Sequence, residues 1–61
     1  MKVFIVWEHF CECFDIISNE YTTLVRVYES EESAYCAVEV LSEGIIDNNI
    51  SYYYTENEVL P

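Results

Sequence analysis

Ser30-Glu31-Glu32-Ser33-Ala34-Tyr35-Cys36-Ala37-Val38-Glu39-Val40-Leu41-Ser42-Glu43-Gly44 is the stretch that decides the fold, because the hydrophobic period changes there. Ala34, Ala37, Val38, Leu41 and then Ile45 recur at three- and four-residue steps, which draws one apolar stripe along a helix. Ser30 is a good N-cap, and Glu31 and Glu32 put negative charge in the first turn, where the helix dipole favours it. Gly44, the only glycine, stands where a left-handed C-terminal cap belongs. The pattern predicts a helix over Glu31–Glu43.

Outward from this helix the period falls to two. Lys2–Trp7 and Tyr21–Tyr28 are runs of β-branched and aromatic residues, predicted as the first and second strands. His9–Asn19 between them is mixed, and Asp15, Ser18 and Asn19 suit a loop or an irregular hairpin connection. On the other side Asp47-Asn48-Asn49 is a turn and Ile50–Thr55 a third strand, which the polar tail Glu56–Pro61 is able to extend. The fold class is α+β: a single domain over residues 1–61 in the order β-β-α-β, with one helix packed on a three-stranded, mainly antiparallel sheet. The first two strands are expected to pair as a hairpin. The third lies parallel to the second or alongside the first.

Side chains alternate faces along a strand. Val3, Ile5 and Trp7 then oppose Phe4 and Val6; Val25 and Val27 oppose Leu24 and Tyr28; Ile50, Tyr52 and Tyr54 oppose Tyr53. Both faces are apolar, and one helix covers one of them. A second copy covers the other through sheet faces or edges, making a homodimer, or a different partner does, or the His9–Asn19 segment folds over it with Phe10, Phe14, Ile16 and Ile17. The homodimer is the preferred expectation.

Charge narrows the partner. Twelve carboxylates against two basic residues give a net charge of -10, which repels nucleic acid and anionic membranes and calls for a basic partner. A chain that is 52% hydrophobic, with six Tyr, three Phe and one Trp, carries that charge on a folded body and not on a disordered tail. Three cysteines are an odd number, and Cys11 and Cys13 are too close for an unstrained bridge, so reduced thiols and a cytoplasmic location are expected. Met1–Trp7 is apolar too briefly for a signal peptide or membrane span.

His9, Cys11 and Cys13 alternate and Cys36 could complete a metal set, but Cys-x-Cys without a second pair is a poor zinc chelate; small buried hydrophobes are the better reading of these cysteines. No third group orients a thiol nucleophile, and one glycine with two basic residues cannot cradle phosphate. No cofactor, no metal and no enzymatic activity are expected. The carboxylates Glu29, Glu31, Glu32, Glu39, Glu43 and Asp47 fall on or beside the helix, and the seven- and four-residue steps of Glu32, Glu39 and Glu43 are about 6–10 Å at 1.5 Å per residue, comparable to phosphate spacing. No Lys or Arg lies among them on the helix. Tyr52, Tyr53 and Tyr54 are amphipathic anchors of the kind enriched at interfaces.

Lys2-Val3-Phe4-Ile5-Val6-Trp7-Glu8-His9, then Val27-Tyr28-Glu29-Ser30-Glu31-Glu32-Ser33-Ala34, then Ala37-Val38 and the Tyr-rich last strand resemble a family of small uncharacterised bacterial and phage domains, with Arg26 where that family has glycine. The resemblance implies a β-β-α-β fold and brings no activity. In size and charge the chain is also similar to phage-encoded inhibitors such as anti-restriction, anti-CRISPR and uracil-DNA glycosylase inhibitor proteins. The functional expectation is a non-enzymatic acidic binding protein that mimics nucleic acid and occludes a basic surface of a host nucleic-acid or defence protein. The alternative is a self-associating structural or regulatory module whose acidity serves solubility alone.

Overall fold

The computed structural model describes residues 1–14 and 17–60, with the backbone alone for residues 13, 14, 17 and 18. The elements are β1 (Lys2–Phe14), β2 (Ile17–Tyr28), α1 (Glu31–Glu43) and β3 (Ile50–Glu58). All strands are antiparallel in the order β2-β1-β3, so the third strand takes the place alongside the first. The helix packs on one face of this sheet, giving the expected two-layer α+β fold.

Helix α1 occupies the span its sequence period predicts. The Ser30 side chain caps it by accepting from the Ser33 N–H at 3.1 Å. Its other end departs from expectation: Gly44 has φ -88°, not a left-handed conformation. The chain leaves the helix through tightened turns, with the Gly44 N–H donating to the Leu41 carbonyl at 3.2 Å and that of Ile45 to Ser42 at 3.3 Å. Those bonds satisfy the Leu41 and Ser42 carbonyls without a positive φ.

The His9–Asn19 connection is the larger correction. His9–Phe14 and Ile17–Asn19 are strand, paired from His9↔Thr22 to Phe14↔Ile17, so the expected loop is the far half of a long hairpin. Asp15 and Ile16 lie outside the described residues. Because the described part of this segment is in the plane of the sheet, it does not fold over the uncovered face. β3 also runs three residues beyond Thr55, where the side chain of Lys2 meets Glu56 at 3.0 Å across the β1–β3 ladder.

A bulge interrupts β2. Val6 pairs with Arg26 but Trp7 with Leu24, which leaves Val25 as the extra residue. The slip reverses the alternation beyond it. Leu24 therefore shares a face with Val27, Ile5 and Trp7, and the expected grouping of Val25 with Val27 against Leu24 and Tyr28 is overturned.

Phe4 and Val6 of β1 meet Ala34 of the helix to form the described core, with Val6 and Ala34 at 0% exposure. Tyr28, Ala37, Val38, Leu41 and Tyr54 pack around it, and the Phe4 and Tyr54 rings meet edge to face at 6.4 Å. Among the described residues no helix is long and apolar enough to cross a membrane.

Candidate functional site

No pocket forms among the described residues, and the exposed chemistry lies on two broad faces of opposite character. The first is the helix side. Ala34, Ala37, Val38 and Leu41 turn toward the sheet, so the 3.6-residue period turns Glu32, Cys36, Glu39 and Glu43 outward. Among the described residues neither of the two ion pairs involves a helix carboxylate. Of the two basic residues, Lys2 is taken by Glu56, and the Arg26 guanidinium sits 5.4 Å over the Tyr28 ring.

Along the seam between α1 and β3 the carboxylates meet tyrosines. Tyr54 donates its hydroxyl to Glu31 at 3.3 Å across that seam, and across the β1–β3 ladder Tyr52 donates to Glu8 at 2.8 Å. Tyr35 stands beside Glu39, whose carboxylate accepts from its hydroxyl and holds the Tyr35 pKa above the ordinary value. The hydrogen bond to Glu8 raises Tyr52 in the same way. For Tyr54 desolvation contributes most, with Glu31 adding to it. Each pair favours the neutral phenol beside an ionised carboxylate.

The expected site residues divide by face. Glu31 and Tyr54 meet at the seam; Glu32, Glu39 and Glu43 lie on the outer helix surface; Glu29 precedes the helix cap. Asp47 lies in the turn before β3, where its side chain accepts from the Asn49 N–H at 2.9 Å. Tyr52 and Tyr54 are half-buried on the helix side, whereas Tyr53 points to the other face and is 42% exposed. The three consecutive tyrosines therefore do not form one anchor surface with the acids. Glu8, bonded to Tyr52, and Tyr35, beside Glu39, partner the expected residues, although the sequence reading left them out. Glu8 was signalled by its two-residue step from Phe4 and Val6, and Tyr35 by its four-residue step from Glu39.

The second face is the uncovered side of the sheet. Registers Ile5↔Val27, Trp7↔Leu24, Ile5↔Thr55 and Trp7↔Tyr53 put Val3, Ile5, Trp7, Leu24, Val27 and Tyr53 together. Leu24 and Val27 are 49% and 47% exposed. The Trp7 indole N–H donates to the Thr55 hydroxyl at 2.8 Å, which fixes the ring against β3. Toward the hairpin tip His9 Nδ1 lies 3.2 Å from the Thr22 hydroxyl and its Nε2 3.0 Å from Glu20. Cys11 follows on this face and is half-buried, while Cys36 is on the outside of the helix, in the other layer. The topology thus separates Cys36 from His9 and Cys11; the Cys13 side chain lies outside the described residues.

Charge is sorted between the faces. Among the described strand positions Glu8, Glu12, Glu56 and Glu58 share the helix side with Lys2 and Arg26, and only Glu20 lies on the open face, against His9. In comparisons with known proteins, no family model, curated protein or solved structure matches this chain.

Proposed function

We propose that this chain is a non-enzymatic binding module that lays the acidic side of its helix on a basic surface of a nucleic-acid-handling or defence protein, occluding it as a nucleic-acid mimic. The observation that carries this reading is that the helix charges beyond the first turn oppose the helix itself. Glu39 and Glu43 are like charges four residues apart, and Glu43 is a carboxylate in a last turn that holds no basic residue. Local stability favours a cation at the second site of each pattern. Charges held against the local rule are the mark of a surface shaped by a partner. Solubility alone is served as well by mixed signs. The reduced thiols expected from the cysteine count fit a cytoplasmic setting, and the sequence resemblance fits a phage-borne inhibitor.

In capture from a bacterial lysate, the retained proteins should be nucleic-acid binders, displaced by duplex DNA and released steeply as salt rises from about 0.1 M to about 0.5 M. Glu39→Lys with Glu43→Lys should slow association roughly tenfold. Retention indifferent to both salt and this double reversal overturns the reading.

A further inference from the structure

We infer that the uncovered sheet face is a self-association surface, whose occupant is the same face of a second copy of this chain. Two observations select that occupant. The first is the row Leu24–Trp7–Tyr53, which crosses all three strands in register, flanked by Ile5 and Val27 and bordered by uncharged Thr22, Ser51 and Thr55. A three-stranded sheet with a helix on one side and an apolar row on the other is half of a two-sheet sandwich.

The second is the sorting of charge. On a chain of net charge -10, the open face holds one described carboxylate, and that carboxylate is against His9 at the end of the patch toward the hairpin tip. A basic partner would have nothing to pair with there. A second copy meets uncharged surface with uncharged surface and turns both acidic helix sides outward, which leaves them available to the partner proposed above. The arrangement does not depend on that partner.

The size of the patch sets the strength. Three strands about 4.8 Å apart and about eight residues of each strand give a footprint of roughly 25 by 15 Å per copy. The two copies together cover roughly 750 Å², below the about 1,200 Å² at which stable specific interfaces begin, which corresponds to a weak, reversible dimer that forms only at high concentration. Two highly acidic chains also repel each other at long range, so added salt strengthens this contact. Binding through the acidic helix side has the opposite salt dependence. The two surfaces are therefore separable by one variable.

The test is sedimentation of the intact chain from about 1 μM to about 1 mM, in about 0.05 M and about 0.5 M sodium chloride, with the emission of Trp7, the only tryptophan, followed in the same samples. The expected result is a shift from 7.2 kDa to twice that mass, at several-fold lower concentration in high salt, with the Trp7 emission moving to the blue as the dimer forms. Leu24→Lys and Tyr53→Lys each reduce the charge repulsion yet bury an ammonium in the contact, so each should raise the dimer Kd about tenfold or more. Both side chains are about half exposed in the single chain, so circular dichroism should show the fold retained. Glu39→Lys with Glu43→Lys should leave dimerisation intact. A monomer at the highest concentration in high salt overturns the proposal. So does a dimer that forms without a change at Trp7, that weakens with salt, or that tolerates both lysines.

Discussion

The two faces of the sheet are made by the same strands, residue by residue in alternation, yet they have opposite fates. Phe4 and Val6 are sealed against Ala34, while their neighbours Ile5 and Trp7 look out beside Leu24, Val27 and Tyr53, which are 42–49% exposed. Hydrophobicity does not distinguish them. What distinguishes them is the helix, which supplies a fitting surface to one face only. The lesson is that an apolar strand residue states a need for cover, and the topology of the chain decides whether that need is met within one molecule.

The largest test of the contrast compares one substitution on each face. Val6→Asp places an uncompensated carboxylate where nothing is exposed, at a cost of several kcal/mol, against the roughly 3–5 kcal/mol that a core of this size supplies. Circular dichroism should show that variant unfolded. Leu24→Lys on the open face should keep the native spectrum, and equal damage from both would mean the faces are energetically alike. A milder version uses the two sides of the helix. Ala34→Leu overpacks the sealed seam and should cost about 1–3 kcal/mol in urea denaturation. Val40→Leu, at a position 68% exposed, should stay within about 0.5 kcal/mol of the parent.

How much of this was legible follows the same division. The helix was readable to its first and last residue because cap, dipole and period coincide at Ser30–Glu43. Strand identity was readable where β-branched and aromatic residues cluster, and the two-residue period placed Val3, Ile5 and Trp7 opposite Phe4 and Val6. The far half of the hairpin was not. Its described residues, His9–Phe14 and Ile17–Asn19, are held by backbone pairing, as in Cys11↔Glu20 and Glu12↔Asn19, and such bonds leave no compositional trace. The bulge at Val25 was equally silent, since Leu24, Val25 and Val27 are interchangeable in propensity, and it decided which of them faces outward. The acidic residues were found as a group, but their division between the seam and the outer helix needed the contacts of Tyr52 and Tyr54.

The tyrosine–carboxylate pairs give the comparison a pH axis. Tyr35, Tyr52 and Tyr54 titrate above the ordinary tyrosine value of about 10, because each neutral hydroxyl is favoured in the folded state. A folded-state pKa raised above the unfolded one means that the contribution is complete below about pH 10 and is lost as pH rises through the folded-state values. Stability should therefore be insensitive to these groups at neutral pH and decline in alkali. Tyr52→Phe, which removes the bond to Glu8, should lessen the alkaline decline in thermal melts recorded from pH 8 to about pH 11. An unchanged profile would show that Glu8 does not hold the phenol. Tyr53, on the other face, has no carboxylate bound to its hydroxyl among the described residues, which makes Tyr53→Phe the matched control.

The smallest effect bears most directly on function. Glu43 lies in the last helical turn, where the dipole is negative, four residues after Glu39, and no basic side chain shares that turn. Glu43→Lys converts both local repulsions into attractions and should raise stability by about 0.3–1 kcal/mol in urea denaturation. The same substitution should weaken capture by a basic partner, so folding and binding move in opposite directions. That opposition separates the two uses of charge on this chain. A carboxylate kept only to hold the protein in solution has no reason to sit where the helix resists it, and one kept for a partner does. If Glu43→Lys gains stability and binds undiminished, the outer side of the helix is solvated surface and the partner must be sought at the tyrosine seam.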